Sequence, residues 1–426
     1  MASGGGKRER VAVIGSGVSG LTAAYILRSS YDVVVFESDE RLGGHAHTHA
    51  VHDRDATHHV DSGFIVHNDR TYPYLRRLFD ELEIQVRPTE MSMSIHCDGC
   101  GLEYAGGRGA TGLFAQRRRV FDPRYLRMLL SVKRFQRLAL TLLEGDEEGP
   151  RTYGDFLHEH GFSDYFISHY AIPVVSCVWS SGLDTALEYP ARYLFEFLKH
   201  HGFLSIKGSP QWFTVAGGSH TYVTKVAEAI GDVRVSLGVR SVTRTDHGVE
   251  LVDTVGDTHQ FDKVIIATHA DQALAMLTDP TPDESRVLGA FGYSHNETVL
   301  HRDASLLPEA LSARSAWNYR IENCGQRVDH TPSRATYWMN RLQGIDSAEP
   351  FLVTLNASDY IDPAKVVATM HYTHPIYTNE SVAAQSKLKT LVSDTTAYAG
   401  AYHGWGFHED GCRSGVKAAQ ALGVAW

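Results

Sequence analysis

Gly15, Gly17 and Gly20 stand in the spacing G-x-G-x-x-G, and Glu37 follows at the end of the next apolar run. Residues of these types at these intervals can hold a dinucleotide. Gly15 permits a tight turn off a strand. Gly17 has no side chain to keep a pyrophosphate away from the backbone, and Gly20 lets a helix lie close to the strand. Free N–H groups at the start of that helix, at the positive end of its dipole, attract phosphate. A carboxylate at Glu37 can accept both hydroxyl hydrogen bonds of an adenosine ribose. His67, Tyr337 and His403 are candidates for moving protons. No Ser/His/Asp triad or carboxylate pair stands out. His45, His47 and His49 alternate and share one face of a strand. That pattern suits a metal site or a polar strand edge. With no Asp, Glu or Cys cluster to complete the set, the edge is the expectation. Cys97-Asp98-Gly99-Cys100 is a C-x-x-C without a second pair, so a plain turn is expected there, not a zinc or redox site. No metal is expected.

The elements that must position these groups follow from the surrounding pattern. Val11 to Ile14 is a short apolar run, the length of a buried parallel strand. A helix runs through Leu21, Ala24 and Leu27, and a second strand, Val33 to Phe36, delivers Glu37. Phe261 to Thr268 is another buried strand. Helices are expected over 71–87 and 220–230, and after Thr152 as N-cap; a loop is expected from Leu142 to Pro150. A strand-like stretch lies near Met91–Ile95, and the three runs at Glu297–His301, Ala335–Asn340 and Phe351–Leu355 suit an antiparallel sheet. Trp317, Tyr337, Asn340 and Arg341 are offered toward a substrate. The stretch 164–204 is rich in aromatics, most of them core. Residues 108–137 carry Arg108, Arg117, Arg118, Arg119, Arg124, Arg127, Lys133, Arg134 and Arg137 against one acid, Asp122. Apolar Tyr125, Met128, Leu129, Val132 and Phe135 are interleaved at helical spacing. Such a helix either lies on an anionic membrane surface or shows a solvated basic face.

The 426 residues suffice for two intertwined domains, and 43% hydrophobic with 21% charged residues is ordinary for a globular chain. A net charge of −10 argues against general nucleic-acid binding. No apolar run reaches the length of a membrane span. Residues 1–9 lack an apolar segment and are expected to be a disordered leader, not a signal peptide. Five scattered cysteines suggest reduced thiols and a cytoplasmic protein.

Arg41-Leu42-Gly43-Gly44, directly after the acid, resembles the R-x-G-G-R stretch of the flavin amine oxidase, carotenoid desaturase and protoporphyrinogen oxidase superfamily. His45 stands where that superfamily usually has Arg. Val60-Asp61-Ser62-Gly63-Phe64-Ile65 is similar to its segment beside the flavin. Trp405-Gly406-Phe407-His408-Glu409-Asp410-Gly411 is similar to the start of its last helix. Stretches such as RLGGHAHT, DSGFIVHNDRTYP and GWGFHEDGCRSG resemble a narrower group, often encoded beside cyclopropane fatty-acyl phospholipid synthases. The resemblance implies a Rossmann-like FAD-binding domain with a parallel sheet (10–70, 205–280, 385–426). Interleaved with it is a substrate domain of antiparallel sheet and helices (71–204, 281–384). It implies non-covalent FAD held by Gly15, Gly17, Ser19, Gly20, Glu37, Ser38, Arg41, Gly43, Gly44, His45, Gly63, Phe64, Val239, Thr268, Gly400, His408 and Glu409. Phe407 would be an aromatic wall at the reacting centre. The leading expectation is hydride transfer between FAD and an apolar, lipid acyl substrate. The alternatives are an amine oxidase and an FAD-containing accessory subunit of a cyclopropane fatty-acyl synthase. Peripheral contact with the inner membrane surface through residues 108–137 is the further expectation.

Overall fold

The computed structural model describes residues 8–54, 56–145, 149–205, 208–324 and 333–426. Most of the expected leader, residues 1–7, lies outside that set.

Arg10–Ile14 runs parallel to Asp32–Phe36 on one side and to Lys263–Ile266 on the other. Val233–Arg234 and Thr396–Tyr398 form the two edges of this five-stranded parallel sheet. Successive side chains point to opposite faces, and both faces are covered. Val11, Val13, Val33 and Val35 pack under helices Val18–Leu27, His220–Ile230 and His408–Ala421. Ala12, Ile14, Val34 and Phe36 pack on the antiparallel strands Val239–Thr245, Gly248–Asp253 and Thr258–Phe261, with helices Ala270–Met276 and Pro282–Leu288. Double coverage explains why these strands read as unbroken apolar runs. Each fully buried Val or Ile contributes about 1.5–3 kcal/mol. Lys263–Ile266 lies inside the sheet because Thr396–Tyr398 pairs beyond it.

A seven-stranded sheet has the order Val366–Ile376, Gly292–His301, Leu352–Leu355, Ala335–Trp338, Trp317–Ile321, Met93–Cys97, Leu102–Gly106. Neighbours are antiparallel except Trp317–Ile321 beside Met93–Cys97. The three runs expected to form an antiparallel sheet are therefore neighbours in it. Helices between residues 123 and 200 cover one face through Phe135, Phe156, Phe166 and Phe195. The expected 71–87 helix is shorter, Pro73–Glu81. Glu83 turns left-handed (φ 52), and the Ile84 N–H returns to the Phe79 carbonyl at 2.8 Å, which ends the helix. The basic stretch splits into a 3₁₀ turn, Arg117–Phe121, and a long helix, Pro123–Glu144. Asp122 accepts from the Arg124 N–H at 3.0 Å and Pro123 fills the first position, so the break is encoded locally. That helix overruns the expected loop start at Leu142. Thr152 is an N-cap: its hydroxyl accepts from the Asp155 N–H at 3.1 Å. Among the described residues no helix is long and apolar enough to cross a membrane.

Candidate functional site

Gly15 leaves the first strand at φ 100, a conformation that favours glycine. Gly17 caps the helix Val18–Leu27 with extended backbone, and a methyl group there would meet no protein atom within 4 Å. The same group at Gly20 would strike the Gly15 carbonyl. Gly20 thus serves close packing, while Gly17 faces open space into which the helix start directs unpaired N–H groups. Glu37 is held at the end of its strand. Its Oε2 accepts from the Ser16 N–H at 2.8 Å and the Ser16 hydroxyl at 2.6 Å, and its Oε1 from the Asp39 N–H at 2.9 Å. A carboxylate offers about four acceptor positions, and the rotatable Ser16 and Ser38 hydroxyls can yield theirs to an incoming diol.

A second helix start opens on the same space. His408–Ala421 lies against Val18–Leu27, and a methyl at Gly415 would strike the Ser19 carbonyl. This closeness brings both N-termini together. The His408 ring stacks on Phe64 with centroids 3.8 Å apart, and Phe407 stacks on Phe197 at 5.0 Å.

One cavity of about 660 Å³ joins these features. Gly15, Gly17, Ser19, Glu37, Ser38, Gly44, His45, Gly63, Phe64, Val239, Thr268, Gly400 and His408 all lie on its wall, with Tyr337 and Phe407. Six expected residues do not. Gly20 and Gly43 pack behind it; the Gly43 N–H donates to the Ser16 carbonyl at 3.1 Å. Arg41 keeps a buried Nη1 that no protein group meets. Glu409 accepts from the Tyr74 and Leu75 N–H groups at 3.1 and 2.9 Å and so caps the helix Pro73–Glu81. The His67 ring is enclosed by Phe64, Tyr72, Phe79 and Phe213. His403 packs on Tyr402 with its Nε2 unpartnered. Tyr337 alone of the three proposed proton handlers reaches the cavity. His201, His269, Tyr372 and His374 reach it too and were not anticipated. Tyr372 and His374 alternate within the strand Val366–Ile376, and that period-two pattern was the signal available.

Residues 18–300 match the family model for flavin containing amine oxidoreductase. The chain belongs to this family. Solved structures share its fold over nearly the whole length. Cyclohexylamine oxidase from Brevibacterium oxydans superposes with TM-score 0.69 at 16% identity, covering 97% of this chain and 98% of that one. A CLA-producing fatty acid isomerase from P. acnes gives 0.68 at 16%, covering 98% and 99%. A putrescine oxidase with redesigned cofactor binding gives 0.67 at 14%, covering 98% and 99%. A comparison of the sequence with curated proteins finds no match.

As a member of this family the protein is an FAD-dependent oxidoreductase. The cavity fits that cofactor on two counts: the open space beside Gly17 and two helix N-termini on one wall. The wall of this oxidoreductase is almost without charge. Glu37 is its one carboxylate among the described residues, and no Lys or Arg lines it. Burial pushes the His374 and His201 rings down to about 4 and His408 to about 3. Burial, with His374 and His269 close by, holds His45 well below the usual histidine range. His45 faces the Thr373 carbonyl at 3.1 Å through Nε2, which must therefore donate. The neutral ring then has only a lone pair at Nδ1, so His45 cannot act as the phosphate-binding cation that an Arg would be.

Proposed function

We propose that this FAD-dependent enzyme acts on an apolar acyl chain, by dehydrogenation or by moving a double bond. The neutral aromatic wall carries this reading. Trp179, Phe197, Trp212, Trp317 and Phe407 line the cavity with Cys177, Val178 and Leu355, and nothing there except Glu37 would pair with an ammonium group. A fatty acid isomerase shares the fold, which agrees with the proposal. Bound non-covalently, FAD would supply hydride acceptance and return. The chain's own residues would do the rest. The aromatic side chains exclude water and align the acyl chain. Burial raises the Tyr337 hydroxyl above its ordinary range, so at neutral pH it stays protonated and can donate a hydrogen bond. His201 Nδ1 donates to the Phe197 carbonyl at 3.1 Å, so its Nε2 presents a lone pair, while His374 Nδ1 accepts from the Asn296 amide at 3.0 Å, so its Nε2–H donates. The start of the helix at His408 favours negative charge developing beside it.

Access from a membrane surface belongs to the same proposal. Arg119 is engaged by Asp122 at 2.7 Å. Around it Arg117, Arg118, Arg124 and Arg127 are exposed, beside Phe121 (87% exposed) and Leu130 (69%). Bare aromatic and aliphatic side chains among arginines suit an anionic lipid surface.

Amine oxidation is the second reading, favoured by the stacked Phe407 and Phe197, an aromatic surface able to orient a neutral amine. Anaerobic mixing decides between them. Unsaturated or cyclopropane-bearing lipids should bleach the flavin band or emerge as isomers by mass spectrometry. Bleaching by a panel of amines, with lipids unchanged, would overturn the proposal.

A further inference from the structure

Away from the cavity, the Sγ atoms of Cys97, Cys100 and Cys324 and a ring nitrogen of His169 all lie within 4.8 Å of one another. Three separate segments meet there. Cys97 and Cys100 flank the hairpin turn between Met93–Cys97 and Leu102–Gly106. Trp317–Ile321 runs parallel to the first of these strands with Ile321 opposite Cys97, and the Asp98 N–H donates to the Ile321 carbonyl at 2.8 Å. The chain beyond Ile321 therefore carries Cys324 across the turn. A Cβ at Gly99 would come 2.9 Å from the Cys324 nitrogen, so the glycine makes room for it. His169 comes from the helical segment Ile167–Ala171.

The chemistry of the group is that of a ligand set. His169 Nδ1 lies 3.0 Å from the Tyr165 carbonyl. A carbonyl only accepts, so Nδ1 carries the proton and Nε2 presents its lone pair, 3.4 Å from Cys100 Sγ. A ring held through its other nitrogen by a carbonyl is the arrangement metal-bound histidines use. The Cys100 N–H points at Cys97 Sγ and the Leu102 N–H at Cys100 Sγ, so backbone donors already face two of the sulfurs. Tetrahedral zinc, with bonds of about 2.3 Å to sulfur and about 2.0–2.1 Å to nitrogen, places ligand atoms about 3.5–3.8 Å apart. The observed spacing needs only small side-chain rotations to meet that.

We propose that Cys97, Cys100, His169 and Cys324 bind one zinc ion. Four protein ligands close the coordination sphere, so the ion is structural and not catalytic. It clips together the turn, the end of Trp317–Ile321 and the segment that continues as Ile172–Trp179. These last two supply Trp317, Cys177 and Trp179 to the apolar part of the cavity. The clip thus steadies the part of the wall that would face substrate, away from the Gly15–Gly17 turn.

Untagged holoenzyme, grown with zinc and dialysed against metal-free buffer, should contain close to one zinc per chain by elemental analysis. A mercurial that titrates thiols should release it. Cobalt substituted for zinc should absorb in the red, where oxidised flavin does not. Cys324→Ser and His169→Gln should each weaken zinc binding by more than the ten- to hundredfold, on the order of magnitude, that outer-sphere partners contribute. Either variant that retains its full FAD content serves as the folded test. Folded, yellow wild-type protein with less than about a tenth of an equivalent of zinc would overturn the site, as would a Cys97–Cys100 disulfide in freshly isolated, alkylated protein. Undiminished zinc in both variants would overturn it equally.

Discussion

Gly17→Ala separates the fold from cofactor binding. The new methyl meets no protein atom within 4 Å, and φ −63 with ψ 173 is open to any residue. Replacing Gly at a compatible position gains about 0.4–1 kcal/mol from the unfolded state. Losing a favourable N-cap costs a similar amount. The apoprotein should therefore melt within a few degrees of wild type. FAD fares differently. The methyl occupies the space through which a pyrophosphate would approach the free N–H groups. Two charge-assisted hydrogen bonds of about 1.5–3 kcal/mol each would be lost, and at about 1.4 kcal/mol per decade the Kd should rise by about 10²–10⁴-fold. Flavin fluorescence titration of apoprotein measures this, with thermal melts of the same samples. Gly20→Ala is the opposite control. Its methyl strikes the Gly15 carbonyl, so the apoprotein itself should lose about 1–3 kcal/mol or more. If Gly17→Ala binds FAD within about threefold of wild type, the pyrophosphate does not rest on this helix start.

Other expectations follow from the same geometry. Glu37→Ala should weaken FAD binding by about 2–4 kcal/mol through lost charge-assisted bonds to the ribose; unchanged affinity by titration would remove that role. Burial raises Glu409 to about 7, above the ordinary carboxyl value of 4.5. Its contribution to stability is complete below pH 4.5 and is lost as pH rises through 7. Glu409→Gln should therefore gain on wild type between pH 5 and pH 8, on the order of 2 kcal/mol in urea melts; a pH-independent difference would show that Glu409 does not titrate there. Phe121→Asp with Leu130→Asp should cut binding to anionic vesicles by tenfold or more, at about 1.5–3 kcal/mol per buried apolar side chain. Wild-type protein that fails to sediment with such vesicles would remove the membrane docking.

What the sequence determined by itself is what neighbours along the chain decide. The turn at Gly15, the cap at Gly17 and the close packing at Gly20 act within one strand-turn-helix unit, so spacing alone exposes them. Double burial writes Val11–Ile14 and Val33–Phe36 as apolar runs, and Thr152 reaches the N–H of Asp155 three residues on. The closing helix was legible because Phe407 to Gly415 is continuous. Tertiary structure decided the matters that depend on which way a side chain points and what distant segment meets it. Burial within an aromatic cluster takes His67 off the wall, while alternation along Val366–Ile376 puts Tyr372 and His374 on it. Glu409 has both oxygens committed to the N–H groups of Tyr74 and Leu75, more than three hundred residues away in the chain. The strand Lys263–Ile266 becomes interior only because Thr396–Tyr398 arrives beyond it. Cys97-x-x-Cys100 reads as a bare turn until the parallel pairing of Trp317–Ile321 delivers Cys324 and a helical segment delivers His169. Pairing of that kind is set by the burial of whole sheets and helices, and no local spacing records it.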